Sequence, residues 1–259
     1  YIYQEVIDQG GEPIQASEYF QNGDVTEFKY SVKLSETFFQ GKLASLKTFG
    51  EAWDLMPSDS AIVFVDNHDN QRGHGGGGHI LTHKDGILYD LANVFMLAWP
   101  YGYPRVMSSY AFTTESQGPP SDPGGRTHDI YGAEGKPNCF KEWKCEHRWR
   151  SITNMVAFRN ATASNFFTTD WWSNGNNQIA FGRGDKGFVV INREKHPLQR
   201  AFQTSLPAGI YCNVIDGDVS EDGSQCTGST VTVDDEGRAE ISVPFRNAVA
   251  VHVGAKLSW

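Results

Sequence analysis

The chain has 259 residues, a net charge of −9 and 39% apolar residues, enough to bury a full core, so disorder and a disulfide-only mini-fold are excluded. Its acidity argues against nucleic acid and anionic membranes as partners. The most apolar run, 91–99, is interrupted by Asn93 and followed by Pro100, too short to span a bilayer.

Tyr1-Ile2-Tyr3-Gln4 reads as a strand, with no initiator Met or signal peptide before it, and the expectation is a piece of a longer protein. Further strands are expected at 25–28, 61–65 and 105–107. Helical patterns fall between them. Residues 34–46 carry apolar side chains at mixed helical spacing. Ile87, Leu88, Leu91, Val94, Phe95 and Ala98 form a stripe with a period of about 3.6 residues. Thr82 and Asp85 read as a capping box for that helix. Trp149, Ile152 and Val156 mark another. Alternating β and α segments imply parallel strands with helical crossovers. From residue 163 only strands are expected: 178–182, 187–192, 209–214, 229–233, 239–243 and 248–253, separated by Gly, Asp and Pro turns. That is an antiparallel unit of about 95 residues, a typical domain size. The division expected is 1–162 and 163–259.

The four cysteines form two local pairs, Cys139 with Cys145 and Cys212 with Cys226. Neither spacing suits a C-x-x-C zinc or redox motif. Local pairing closes the shortest loops of the three connectivities, and two disulfides would place the chain in an oxidising compartment. Four free thiols in a reducing compartment is the other reading. Asn160-Ala161-Thr162 is a glycosylation sequon.

In parallel α/β structures the functional groups gather at the C-terminal ends of strands. Glu5 ends the first strand here, Asp66-Asn67-His68-Asp69-Asn70 ends the third, and Arg105 opens the fourth or lies just before it. A lone Glu after a strand is commonly a solvated cap. The second cluster sets two carboxylates, two amides and an imidazole directly behind four apolar residues, denser than an Asx turn requires. Two carboxyl groups from different strands can flank one bond, one protonated and one ionised, as glycoside cleavage needs. Gly73-His74-Gly75-Gly76-Gly77-Gly78 follows at once. No Lys-Ser/Thr follows these glycines, so they are not a phosphate loop. Beside a site they read as a flap with a polar tip.

Several long matches carry a family resemblance. Tyr3-Gln4-Glu5-Val6-Ile7-Asp8, the run from Phe64 through Gly75, Arg105-Val106-Met107-Ser108-Ser109-Tyr110, Cys145-Glu146-His147-Arg148-Trp149-Arg150 and Ala180-Phe181-Gly182-Arg183-Gly184 resemble the animal α-amylases. The resemblance covers essentially the whole chain. It implies the second half of a (β/α)8 TIM barrel, from the fifth strand onward, followed by a C-terminal antiparallel β-sandwich of Greek-key type. It further implies a secreted, extracellular digestive hydrolase acting on starch, glycogen and maltooligosaccharides, monomeric when complete and open to proteinaceous inhibitors. By position, Glu5 matches the family's general acid/base and Asp69 the third carboxylate. His68 and the flap residue His74 match substrate contacts, and Ile7 and Glu12 match residues on the leaving-group side. Asn67 and Arg105 match two ligands of a chloride ion, which would tune the acid electrostatically. Both cysteine pairs match family disulfides.

The barrel's first four strands have no counterpart in this chain. The aspartate nucleophile and the calcium ligands that the family carries there are therefore expected outside it, and no metal ligand is assigned within it. Two other readings remain: an inactive amylase-like interaction domain, and a carbohydrate-binding module using Trp171-Trp172 as a sugar platform. A transglycosylase would use the same residues.

Overall fold

The computed structural model describes residues 1–132 and 134–258. Strands β1 (Tyr3–Gln4), β2 (Asp24–Thr26), β3 (Ala61–Val63) and β4 (Tyr103–Pro104) form one sheet in that order, all parallel. They are shorter than their apolar runs suggest. The fourth strand ends before Arg105, which follows it instead of opening or preceding it; the amide of Arg105 still donates across to the Val63 carbonyl of β3 at 2.8 Å. Phe28, expected as the end of a strand, begins helix α1 (Phe28–Phe39), started by the Glu27 carboxylate accepting from the amide of Lys29. The helical pattern expected over 34–46 therefore divides between α1 and a 3-10 segment, Leu43–Thr48.

Helix α2 (Ile87–Ala98) follows the apolar stripe. The capping box at Thr82 and Asp85 forms, but it closes a separate 3-10 turn, His83–Asp85, and Gly86 at φ +57° reorients the chain into α2. All residues of α2 from Leu91 to Ala98 are buried. A helix apolar on all sides needs cover on all sides. It receives it from Phe38 of α1, from Trp99, and from Phe181 in the later sheets, each in ring contact with Phe95. Helix α3 (Arg150–Ala161) completes this layer.

The rest is antiparallel. One sheet orders β12-β7-β6-β5 (Asn247–His252, Gly187–Asn192, Gln178–Gly182, Thr169–Ser173). The other orders β8-β11-β10-β9 (Leu198–Gln203, Arg238–Val243, Thr230–Val233, Gly209–Cys212). Strands β5 and β8 have no counterpart in the sequence reading. β8 shows only two buried positions among six, too polar a run to register as a strand. The first of these sheets is covered on both faces. Ile179, Phe181, Val189, Ile191, Ala248 and Ala250 join the core of α2 and α3, while Ala180, Phe188, Val190, Val249 and Val251 join the core between the two sheets. Both cysteine pairs are disulfides, with Cα separations of 5.5 Å for Cys139–Cys145 and 5.3 Å for Cys212–Cys226.

Candidate active site

Glu5 is the residue after β1, and both its neighbours are pinned. The amide of Val6 donates to Thr26 Oγ1 at 3.1 Å, and Thr26 Oγ1 donates to the Gln4 carbonyl at 3.4 Å. The carboxylate of Glu5 is thus the free group on a fixed piece of backbone. It points toward Asn67, whose Nδ2 lies 3.4 Å from Glu5 Oε1.

Asn67 is the hub of the turn after β3. Its Oδ1 accepts from the amides of Asp69 at 3.0 Å and Asn70 at 2.8 Å, and its own amide donates to Asn70 Oδ1 at 2.7 Å. With the oxygen so occupied, the Asn67 Nδ2 can only face Glu5. His68 is exposed, its Nε2 3.5 Å from Asp69 Oδ1. Glu5, Asn67, His68 and Arg105 line one cavity of about 330 Å³, together with Tyr3 and Met107. The guanidinium of Arg105 lies over the Tyr3 ring at 5.1 Å, a cation–π contact. Beneath the turn, Asp66 is buried. Its Oδ1 accepts from the Tyr89 hydroxyl at 2.8 Å, and burial holds its carboxyl well above the usual carboxylate range, with the charge of Glu146 adding to the rise.

The other expected residues stand further out. The amide of His74 donates to the Asp69 carbonyl at 3.1 Å, but its ring is not on the cavity wall. Ile7 is partly exposed beside Gly75. Glu12 turns back on its own loop, accepting from the amide of Gln9 at 3.0 Å. The glycine segment lies against α1: a Cβ at Gly77 would collide with Val32, and one at Gly75 would sit 2.9 Å from Phe28. Both positions also have φ near +80°, so glycine is required twice over. Thr26 and Gln71 were not legible as site residues, since nothing in their local sequence signals the bonds they make. A larger cavity, about 870 Å³, lies elsewhere, along the open side of β4 between Tyr103, Val156 and Phe166.

Two strand ends, carrying Glu5 and Asp66, thus meet over one cavity in a parallel sheet. The chain is 50% identical over 262 residues to an alpha-amylase of Pecten maximus, across 99% of its own length and 51% of the relative's. It is 49% identical to the pancreatic alpha-amylase of Struthio camelus, across 99% and 54%. A mutant alpha-amylase I from Eisenia fetida, solved with maltohexaose, superposes with a TM-score of 0.87 at 43% identity, over 98% of this chain and 54% of that one. The chain matches the C-terminal portion of animal α-amylases. Residues 171–254 also match the family model described as the alpha amylase C-terminal all-beta domain. The chain spans about half the length of the curated α-amylases it matches.

The paired tryptophans do not form a platform. Trp171 stacks on Phe181 at 5.9 Å against the helical core, whereas Trp172 packs edge-on to Phe202 in the core between the sheets. Successive strand residues point to opposite faces, so the two rings are separated by their own backbone.

Proposed function

We propose that residues 1–162 are the C-terminal half of a (β/α)8 barrel, that 163–259 are its all-β companion, and that the chain supplies the acid/base side of a secreted, retaining endo-hydrolase of α-1,4-glucans. The observation that supports this is Glu5 meeting Asn67 and His68 at one cavity from the ends of two parallel strands, with Asp69 next in the same turn but off the cavity wall. Starch, glycogen and maltooligosaccharides are the substrates; the maltohexaose named with the Eisenia fetida enzyme is of this class.

Glu5 delivers a proton to the leaving glycosidic oxygen and later takes one from water. Asp69 and His68 hold sugar hydroxyls, and His74, Ile7 and Glu12 approach when the glycine segment moves over bound glucan. The nucleophile comes from outside this chain, about 5 Å from Glu5, as retention requires. The half barrel completing the site would seat along the open edges of β1 and β4 and fill the cavity beside Tyr103.

Asn67 and Arg105 suit an anion, since an amide N–H and a guanidinium are both donors with positive charge outward, and both face the cavity of Glu5. They would hold chloride, which when bound supplies a fixed negative charge beside the acid. Calcium, in this reading, belongs to residues outside 1–259.

The test is to join the chain to the N-terminal half of the Pecten maximus relative and assay starch hydrolysis. Glu5→Gln should lower kcat by roughly 10²–10⁴-fold while maltohexaose still binds. Activity within tenfold of the parent would remove Glu5 from the acid role. Arg105→Gln should leave activity nearly independent of added chloride; an undiminished response would make Arg105 structural. A joined protein that binds maltohexaose without hydrolysing it would favour the inactive relative.

A further inference from the structure

Glu146 is fully buried, yet the proposed chemistry does not use it. Burying a carboxylate is costly unless hydrogen bonds compensate, so its partners define what it does. Its Oε2 accepts from the amide of Ser109 at 2.7 Å. The hydroxyl of Ser109, itself buried, donates to Gln71 Oε1 at 3.0 Å. The amide of Gln71 donates to the carbonyl of Asn67 at 3.2 Å. These three steps lead from Glu146 to the turn that carries Asn67, His68 and Asp69, crossing from the segment after β4 to the segment after β3.

The other end of this path is anchored too. Glu146 follows Cys145, which is tied to Cys139 and has φ +53°, a conformation uncommon for a residue with a Cβ. The backbone turn at Cys145 is closed by the Arg148 amide donating to its carbonyl at 2.8 Å. The second oxygen, Glu146 Oε1, has no hydrogen-bond partner among the described residues and lies 3.6 Å from His83 Nδ1, an imidazole whose side chain is also buried. Lys84, Lys144 and Asp85 act electrostatically on that imidazole, and Asp66 lies within the same field.

We propose that Glu146 is a positioning residue: through Ser109 and Gln71 it braces the turn of Asn67, His68 and Asp69, and the Cys139–Cys145 disulfide holds it in place to do so. The site role rests on reading that turn as part of a glucan-hydrolase site. The brace itself is a property of the chain.

Amide hydrogen exchange on the 259-residue chain tests it, because no substrate is needed. In Glu146→Ala, the amides of Asp69, Asn70 and Gln71 should exchange faster by on the order of ten- to a hundredfold, the loss expected for a hydrogen bond to a buried charge. Amides in α2 and β7 should keep their protection. Glu146→Gln retains an oxygen that can accept from Ser109 and should restore most of the protection. Replacing Cys139 and Cys145 with serine should reproduce the Ala effect in milder form. Unchanged exchange at 69–71 in Glu146→Ala would overturn the proposal. So would an equal rise in α2, which would make Glu146 a general prop of the fold. Should Glu146→Ala fail to fold, Ser109→Ala cuts only the hydroxyl link, and it must raise exchange at 69–71 roughly tenfold for the brace to stand. Because the readout precedes catalysis, it decides the brace even where the joined enzyme fails to hydrolyse starch.

Discussion

The parallel sheet and the antiparallel sheets solve the same problem differently. The strands β1 to β4 are two or three residues long, and both outer strands have a free edge. The strands from β5 onward are four to six residues long and pair in two four-stranded sheets. Besides the apolar core they share, two arginines tie the regions together. Arg183, between β6 and β7, donates to the carbonyls of Ala98, Thr162 and Asn165, where α2 and α3 end. Arg193, after β7, donates to the carbonyls of Thr37, Phe38 and Gly41 at the end of α1. Within the helical layer itself, Arg159 of α3 donates to those of Trp99 and Gly102, just after α2. The last carbonyls of a helix have no partner within it and carry negative partial charge, so a guanidinium fork satisfies both needs. The antiparallel region therefore acts as a cap on the helices behind the parallel sheet.

Separating the two regions should have the most severe effect. Residues 163–259 expressed alone should keep their ladders but expose Phe181, Ile179, Val189 and Ile191, now covered by α2 and α3. An uncovered patch of this kind drives association, so the fragment should run as an oligomer by light scattering. A well-behaved monomer would show that the helices are dispensable cover.

Within the intact chain, Arg183→Ala should have the largest effect. It strands buried carbonyls at the ends of two helices and should cost about 3–5 kcal/mol in urea denaturation. Arg183→Lys should recover little, since one ammonium cannot reach both helices in the fork geometry. Loss of under about 1 kcal/mol would mean that the carbonyls find water instead.

The two disulfides differ in the length of loop they close. Cys212–Cys226 closes a loop with a sequence separation of 14, worth roughly 3 kcal/mol in the chain-entropy model. Its removal should lower the denaturation midpoint more than removal of Cys139–Cys145, with a separation of 6, whose loss should show first in the site turn.

Acid should loosen the contact between β12 and α3. His252, packed edge-on to Phe158, is held by burial at a pKa of about 4. The unfolded imidazole takes its proton near pH 6.5 and the folded one only near 4. Stability is therefore full above pH 6.5 and falls as pH drops through that window, by roughly 3 kcal/mol in all. His252→Gln should flatten this limb of the stability curve; an unchanged slope would assign it to other groups. At the small end, Glu240→Ala on the solvent face of β11 should change stability by less than about 0.5 kcal/mol.

Much of this was legible from short-range pattern. The run Phe64-Val65 followed by Asp66-Asn67-His68-Asp69-Asn70 announces a strand end bearing polar groups, and the structure brings it beside Glu5. The stripe of α2 and the alternation in β10 and β11 follow from periods of 3.6 and 2. The local cysteine pairs form because their loops are short. These features depend on neighbours within about a dozen residues, the range over which a sequence pattern constrains its own backbone.

Tertiary structure decided the rest. The start of α1 at Phe28 depends on Glu27, whose carboxylate also accepts from the distant amide of Met56 at 2.7 Å. The faces taken by Trp171 and Trp172 depend on two cores built from different parts of the chain. Arg183, the largest of the fully buried side chains, reads in sequence as an ordinary turn residue after Gly182. Glu146, buried just as fully, carries no local signal of its burial. Each becomes buried because its partners arrive from far along the chain, and a buried polar group acquires its meaning only from the atoms that satisfy it.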